Sequence, residues 1–171
     1  MVGMQRVEMA TSDLNLRSAT QSDLDAINRV IEAAVMTWDL PERVKRLSLS
    51  SYRYDTFDFN HLEMVVAEDD MQNIMGIAAW EQADAKDTPA GQTALLLHGI
   101  YVDPAHHHQG IGHQLFRTAE EAARNHQYAG LLVKAQAAAS GFFLAQGMNR
   151  LPVEDTLRHY AYRFWKSTNN E

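Results

Sequence analysis

The stretch at residues 95–116 constrains the fold of this chain more than any other part of the sequence. Residues 95–102 are almost wholly apolar, as in a strand that is covered on both faces. Pro104 ends this strand, because a proline has no N–H group to donate to a sheet. Apolar residues then recur at helical spacing from Ile111 to Ala119. The sequence therefore predicts a buried strand, a tight turn and a helix in direct succession.

The turn between this strand and this helix has the features of an anion site. The first turn of a helix leaves backbone N–H groups unpaired, and the helix dipole adds partial positive charge there. Gly110 and Gly112 have no Cβ atom, so an anion can approach the backbone closely. The third glycine of a dinucleotide fingerprint is missing, since Leu115 occupies its place, and no Gly-Lys-Ser/Thr run occurs. The pattern predicts a phosphate or pyrophosphate site, although an ordinary strand–turn–helix junction has the same pattern.

Two motifs around this stretch resemble those of a known family. The run Val102-x-Pro104-x-x-His107-x-x-Gly110-x-Gly112 resembles the acyl-CoA-binding motif of the GNAT superfamily of N-acetyltransferases, which usually has Arg or Gln where His107 stands. Downstream, Gln136-x-x-Ala139-x-x-Phe142-Phe143-x-x-x-Gly147-Met148 is similar to the family's Asn-x-x-Ala-x-x-Phe-Tyr-x-x-x-Gly-Phe. Residues 16–20 and 23–30 resemble its opening strand and helix, so that the resemblance covers most of the chain from 14 to 165.

The resemblance implies an α/β (α+β) fold: a mixed, mostly antiparallel sheet of six to seven strands flanked by about four helices. Residue patterns predict strands at 14–18, 62–68, 74–82, 95–102, 130–135, 149–153 and 159–165. They predict helices after Thr20 and at 41–49, 112–125 and 138–146. We expect residues 1–171 to form a single acyl-CoA N-acyltransferase domain, with residues 1–13 as an N-terminal tail.

The composition and net charge argue against several classes of function and site. The net charge of −7 argues against a nucleic-acid partner, because phosphate binding needs a basic patch. The absence of cysteine excludes disulfides, thiol nucleophiles and thiolate metal sites. No apolar run approaches membrane-spanning length, and the N-terminus lacks a signal-peptide pattern. We therefore expect a cytoplasmic protein without a membrane or nucleic-acid partner, and a homodimer through the closing strands is compatible with the sequence.

The resemblance also implies which residues bind the cofactor. In this family the pantetheine arm of acyl-CoA runs beside the central strand, and the phosphates lie on the turn that follows. The corresponding positions here are Ile100 and Val102 on the strand, His107, His108, Gln109, Gly110, Ile111 and Gly112 on the turn, and Gln136 and Phe143 downstream. Three consecutive histidines cannot easily converge on one ion, so no metal site is predicted among them.

The sequence contains fewer candidates for catalysis than for cofactor binding. Strand alternation places His98 on one face with Ile100 and Val102, where its imidazole could accept a proton from the amine. A histidine that only hydrogen-bonds to its surroundings would give the same pattern. The family often has a tyrosine, as acid for the leaving thiolate, where Phe143 stands here. Ser140 or a strand tyrosine, Tyr160 or Tyr162, could replace it, or no acid is needed.

The segment at residues 36–60 is rich in aromatic residues, namely Trp38, Tyr52, Tyr54, Phe57 and Phe59. The resemblance implies that this segment caps the pocket for the acceptor amine. Each ring could equally be half-buried against the sheet.

Together these features predict an N-acetyltransferase that moves an acetyl group from acetyl-CoA to a primary amine of a small molecule or peptide. The expected mechanism is direct attack in a ternary complex, without a metal. A non-catalytic acyl-CoA-binding module on the same fold is the alternative. A third possibility is an unrelated α/β protein that binds a sugar phosphate at Gly110 and Gly112.

Overall fold

The computed structural model describes residues 14–154 and 162–169, so the expected tail at 1–13 and the candidate Tyr160 lie outside the described residues. Within those residues, seven strands form one sheet in the order β1-β2-β3-β4-β5-β7-β6. They are β1 (Asn15–Ser18), β2 (Glu63–Glu68), β3 (Ile74–Gln82), β4 (Ala94–Val102), β5 (Gly130–Lys134), β6 (Asn149–Arg150) and β7 (Arg163–Ser167). The α-helices are α1 (Leu24–Val35), α2 (Glu42–Tyr52), α3 (Ile111–Asn125) and α4 (Ser140–Ala145).

The strand pairing confirms the predicted fold class. Neighbouring strands are antiparallel except for β4 and β5, which run parallel and are connected through α3. This is the strand–helix–strand crossover that the central stretch of the sequence predicts. β6 is shorter than the predicted strand at 149–153, and β7 extends two residues beyond the predicted end at Trp165.

The helices cover both faces of the sheet because each carries one apolar side. On one face, Ile27 and Ile31 of α1 pack in a cluster with Val66 and Ile77 of the sheet. On the other face, a second cluster joins apolar residues of α3 and α4 to β3, β4, β5 and β7, among them Leu115, Phe116, Phe143, Leu97, Leu131 and Phe164. No α-helix in the described ranges is long and apolar enough to cross a bilayer.

β4 contains one extra residue halfway along its length. Trp80 of β3 pairs with Leu97, whereas the preceding Ala79 pairs with Gly99. His98 therefore has no partner in the β3 register, which defines a β-bulge at this point.

The bulge corrects one expectation from the sequence. Before it, Leu95 and Leu97 pack on the α3 side of the sheet; after it, Ile100 and Val102 pack on that side. The side of β4 that faces α3 thus carries odd-numbered residues before the bulge and even-numbered residues after it. The expectation that simple alternation places His98 on one face with Ile100 and Val102 was wrong, because the extra residue shifts the alternation.

An ion-pair network joins β1, β2 and the start of α1. The Arg17 guanidinium donates to both carboxylate oxygens of Asp23 at 2.8 and 2.9 Å and lies 3.1 Å from Glu68. Asp23 also accepts the backbone N–H of Thr20, which caps the helical turn. Hydrogen bonds from Arg17, foremost, and from Thr20 lower the pKa of Asp23 to about 2. The first helix is therefore fixed to the sheet edge by charge as well as by apolar packing.

Asp23→Asn is expected to lower the free energy of unfolding at pH 7 by about 1–2 kcal/mol, measured by urea denaturation. Because the folded-state pKa of Asp23 is lowered, its stabilisation is fully present above its ordinary pKa of 3.8 and disappears as the pH falls through about 2. The difference between variant and wild type should therefore shrink at pH 3. Asp25→Asn, which removes a charge from the same helix, is the control, and equal losses in both variants would contradict this account.

Candidate active site

The candidate site lies where β4 and β5 separate. Their parallel pairing runs up to Leu97 and Val133, and no further pair follows within the described ranges. β5 ends at Lys134, whereas β4 continues to Val102. Backbone N–H and C=O groups along the outer half of β4 therefore face a gap where the next strand would lie. Such unpaired strand groups are available to a ligand.

A cavity of about 460 Å³ occupies this gap and is lined from both faces of the sheet. On one side its lining includes Ile111 and Phe142, which belong to the α3 cluster. On the other side it includes Trp38 and Tyr52, which pack with α1. The cavity therefore extends through the sheet from one face to the other.

The turn before α3 provides unpaired backbone N–H groups at one end of the cavity. The N–H of Gln114 donates to the Gly110 carbonyl at 3.1 Å. The N–H groups of residues 108–113 have no acceptor among the described residues. Both His108 and Gly110 have positive φ angles, of 64° and 79°. This tight turn, followed by a helix N-terminus, has the geometry of an anion site.

The two glycines of the turn have different physical roles. A Cβ atom on Gly110 would meet no other atom of the described part of the chain within 4 Å, so the space beside it is open to a ligand. A Cβ atom on Gly112 would lie 2.9 Å from the ring of Phe142. The missing Cβ atom of Gly112 therefore allows α3 to pack against Phe142, a role that the sequence did not indicate.

Most of the predicted cofactor residues line this one cavity. They are Ile100, Val102, His107, His108, Gly110, Ile111, Gly112, Gln136 and Phe143. Gln109 is not among the lining residues. Ile111 is only 3% exposed and packs in the core, so its backbone is what it can offer to a ligand.

Aromatic residues form the opposite end of the cavity. The rings of Trp38 and Tyr52 pack edge-to-face with centroids 5.1 Å apart. The side-chain amide of Gln136 donates to the Tyr52 hydroxyl at 2.7 Å and so connects α2 to the segment after β5. The ring of Tyr101 lies directly over Gly99, where a Cβ atom would be 2.8 Å from it. Burial raises the pKa of both Tyr52 and Tyr101, so both hydroxyls are neutral at physiological pH.

His98 lines the cavity at the bulge and is not an isolated histidine. Its Nε2 atom contacts the Glu81 carboxylate, which belongs to the neighbouring strand β3. About one third of each side chain is exposed. A carboxylate at this nitrogen orients the ring and selects the tautomer with a proton on Nε2.

The candidates for a proton donor to the leaving thiolate differ in their positions. Phe143 is 4% exposed, and its ring packs 6.0 Å from Phe164 and 6.5 Å from Phe116 between centroids. The Ser140 hydroxyl is buried without a hydrogen-bond partner among the described residues, and Ser140 is not in the cavity lining. Tyr162 is half-buried beneath the Arg150 guanidinium, 4.5 Å from its ring centroid, and does not line the cavity.

Sequence reasoning missed several residues of the site. Glu81 is one charged residue at the end of a predicted strand, and only the register of β3 on β4 reveals its contact with His98. Tyr101 and Lys134 also line the cavity, as does His113, whose Nδ1 lies 2.6 Å from the Gln146 side-chain oxygen. The sequence placed Tyr101 in the central strand, but it did not indicate that the Tyr101 ring lies over Gly99.

Within residues 14–154 and 162–169, no three histidine or acidic side chains come together in a group that could hold a metal ion. The nearby histidines of the turn, His106, His107 and His108, line the cavity individually.

The protein is similar in structure to several solved acetyltransferases. The PaiA N-acetyltransferase of Thermoplasma acidophilum, in complex with coenzyme A, matches with a TM-score of 0.72 and 13% identity over 90% of this chain and 98% of that chain. A GNAT-family acetyltransferase of Brucella melitensis, in complex with acetyl-CoA, matches with a TM-score of 0.62 and 18% identity over 92% and 90%. A GNAT-family acetyltransferase of Staphylococcus aureus has a TM-score of 0.66 at 13% identity over 91% and 99%.

No curated protein sequence shows a significant match to this chain. At these identities the structural likeness establishes the fold. The sequence model described as the acetyltransferase (GNAT) domain matches residues 60–147, which is more than half of the chain. This range contains the bulge, the turn before α3 and the downstream motif as far as Gly147. The chain therefore belongs to the GNAT acetyltransferase family.

Proposed function

We propose that this protein transfers the acetyl group of acetyl-CoA to a primary amine by direct attack within a ternary complex. The observation that carries this proposal is the cavity between β4 and β5, which joins an anion-binding turn on one face to an aromatic lining on the other. The family supports an acyltransferase, and similar structures contain coenzyme A or acetyl-CoA. The amine and the catalytic residues are our inference from the geometry.

The site fits the cofactor. The unpaired N–H groups of residues 108–113 would hold the pyrophosphate, and the open space at Gly110 leaves room for it. The free backbone edge of β4 beyond Leu97 would pair with the amides of the pantetheine arm. When bound, acetyl-CoA supplies an activated acetyl thioester. A backbone N–H of β4 next to the bulge would polarise the carbonyl of that thioester.

His98 is the residue best placed to take the proton of the amine. Glu81 accepts a hydrogen bond from Nε2, so the lone pair of a neutral ring lies on Nδ1. A primary amine is an ammonium ion in water and must lose a proton before it can attack. Nδ1 can accept that proton directly or through water, while the Glu81 carboxylate balances the charge on the ring.

The departing thiolate needs no strong acid. A thiol has an ordinary pKa near 8.5, which makes the thiolate a fair leaving group close to neutrality. Phe143 cannot donate a proton, and its ring is committed to the core. We infer that water protonates the thiolate, because burial raises the pKa of the Tyr101 hydroxyl beside the bulge and makes it a poor proton donor.

One observation favours a second candidate function. Phe143 occupies the place where the family often has a tyrosine, and it is 4% exposed. A protein of this fold that binds acyl-CoA without transferring it would need no acid there. Release of free CoA in the presence of amines distinguishes the two functions, because a binding module releases none above the rate of spontaneous hydrolysis.

Gly110→Ala is expected to weaken acetyl-CoA binding at least about tenfold, equivalent to ~1.4 kcal/mol, as measured by calorimetric titration. The added methyl group would project into the open space of the turn and strain a backbone with a φ of 79°. Gly141→Ala adds the same methyl group at an exposed position of helix α4, where no atom of the described residues lies within 4 Å, and should leave the affinity unchanged. Wild-type protein without measurable affinity for acetyl-CoA would contradict the proposed function.

His98→Ala is expected to lower kcat for amine acetylation about a hundredfold and to leave the affinity for acetyl-CoA unchanged. Glu81→Gln should lower kcat roughly tenfold, since the amide holds the ring less firmly and cannot balance its charge. If Glu81 acts through His98, Glu81→Gln should have no further effect in the His98→Ala background.

Glu121→Gln, on the exposed side of α3, is the control for the loss of one carboxylate. Fully additive effects of the two substitutions would show that Glu81 does not act by positioning His98. Full activity of His98→Ala would remove the histidine from the mechanism.

A further inference from the structure

We infer that the acceptor is a primary monoamine whose amino group is attached to an aromatic or similarly apolar body, and that polyamines and basic peptides are poor substrates. This inference rests on the proposed function, because it concerns the amine end of the same cavity. Two sets of observations carry it: the shape and polarity of the aromatic end, and the distribution of charge along the lining.

The aromatic end offers flat apolar surfaces and few free polar groups. Trp38 and Tyr52 hold each other edge-to-face, and the Gln136 amide fixes the Tyr52 hydroxyl from the other side of the cavity. The Thr37 hydroxyl donates to the Ala34 carbonyl at 2.6 Å, so it offers no free donor to a ligand. Rings fixed in this way favour a flat apolar partner, which gains from burial and from aromatic contact.

The charges of the described lining disfavour a second positive group on the substrate. The ionisable lining residues are His98, His106, His107, His108, His113, Lys134, Tyr52 and Tyr101, and no Asp or Glu is among them. Two lining residues are paired with carboxylates from outside the lining: His98 contacts Glu81, and the Lys134 ammonium lies 3.4 Å from the Asp87 carboxylate. Burial keeps the two tyrosine hydroxyls neutral by raising their pKa.

A remote ammonium group would therefore leave water without gaining an anionic partner in this lining. Burial of an unpaired charge is strongly unfavourable. The amino group that reacts is different, because His98 accepts its proton and Glu81 balances the resulting charge. The net charge of −7 attracts cations to the protein in general, but it does not place a carboxylate inside the cavity.

The test compares phenethylamine, spermidine and a peptide with an N-terminal lysine, with free CoA detected by a thiol reagent. We expect kcat/KM for phenethylamine to exceed that for either cationic substrate at least tenfold. Trp38→Ala should lower kcat/KM for phenethylamine at least tenfold, mainly through KM, and leave KM for acetyl-CoA within twofold. Trp38→Phe should restore most of the loss, because a flat ring remains.

A preference for spermidine or for the peptide would overturn the inference and leave the proposed function intact. Equal losses for all three amines in Trp38→Ala would also overturn it. Calorimetric titration of phenethylamine in the presence of CoA gives a second reading. If Trp38→Ala weakens this binding tenfold, but the activity assay detects no free CoA formed from acetyl-CoA, the inference is supported and the proposed function is contradicted. Absence of both binding and release would overturn both.

Discussion

The cavity depends on one interruption of the sheet, the extra residue that His98 adds to β4. On the inner side of this bulge, β4 pairs with strands on both sides. On its outer side, β4 keeps its pairing with β3 but has no partner on the other edge within the described residues. Bulges bend a strand and increase its twist, which separates it from a short parallel neighbour such as β5. Gly99 supports this arrangement, because any side chain there would collide with the ring of Tyr101.

Charge within the molecule is arranged to suit both ends of the cavity. The protein is acidic overall, yet the described lining carries histidines and Lys134 and no carboxylate. In the mechanism we propose, a cofactor that bears phosphates would meet backbone N–H groups and basic side chains, and His98, backed by Glu81, would accept the proton of the amine. The same lining would then favour an anionic cofactor and a substrate with a single cationic group.

Local patterns in the sequence were sufficient for most of the fold. The apolar run of β4 and the helical spacing that begins at Ile111 predicted the crossover around which the sheet is built. The apolar face of α1, with Ile27 and Ile31, was equally readable. The motif before α3 identified the family and the turn, because the glycines required there are visible in a single short stretch.

The rest of the site depends on contacts between distant segments, which no local pattern contains. The bulge at His98 exists only in the register between β3 and β4, so simple alternation misplaced His98 relative to Ile100 and Val102. The contact between Glu81 and His98 follows from the same register. The hydrogen bond between Gln136 and Tyr52 joins residues 84 positions apart. Ser140 was a candidate proton donor to the leaving thiolate because it carries a hydroxyl group, but Ser140 is not among the residues that line the cavity.

The most direct test of the central claim is a crystal structure of the protein with CoA. We predict pyrophosphate oxygens within hydrogen-bond distance of the backbone N–H groups of residues 108–113. The pantetheine arm should pair with β4 beyond Leu97, and its sulfur should lie next to the bulge. CoA bound at another surface, with the gap between β4 and β5 filled by protein side chains, would contradict the account.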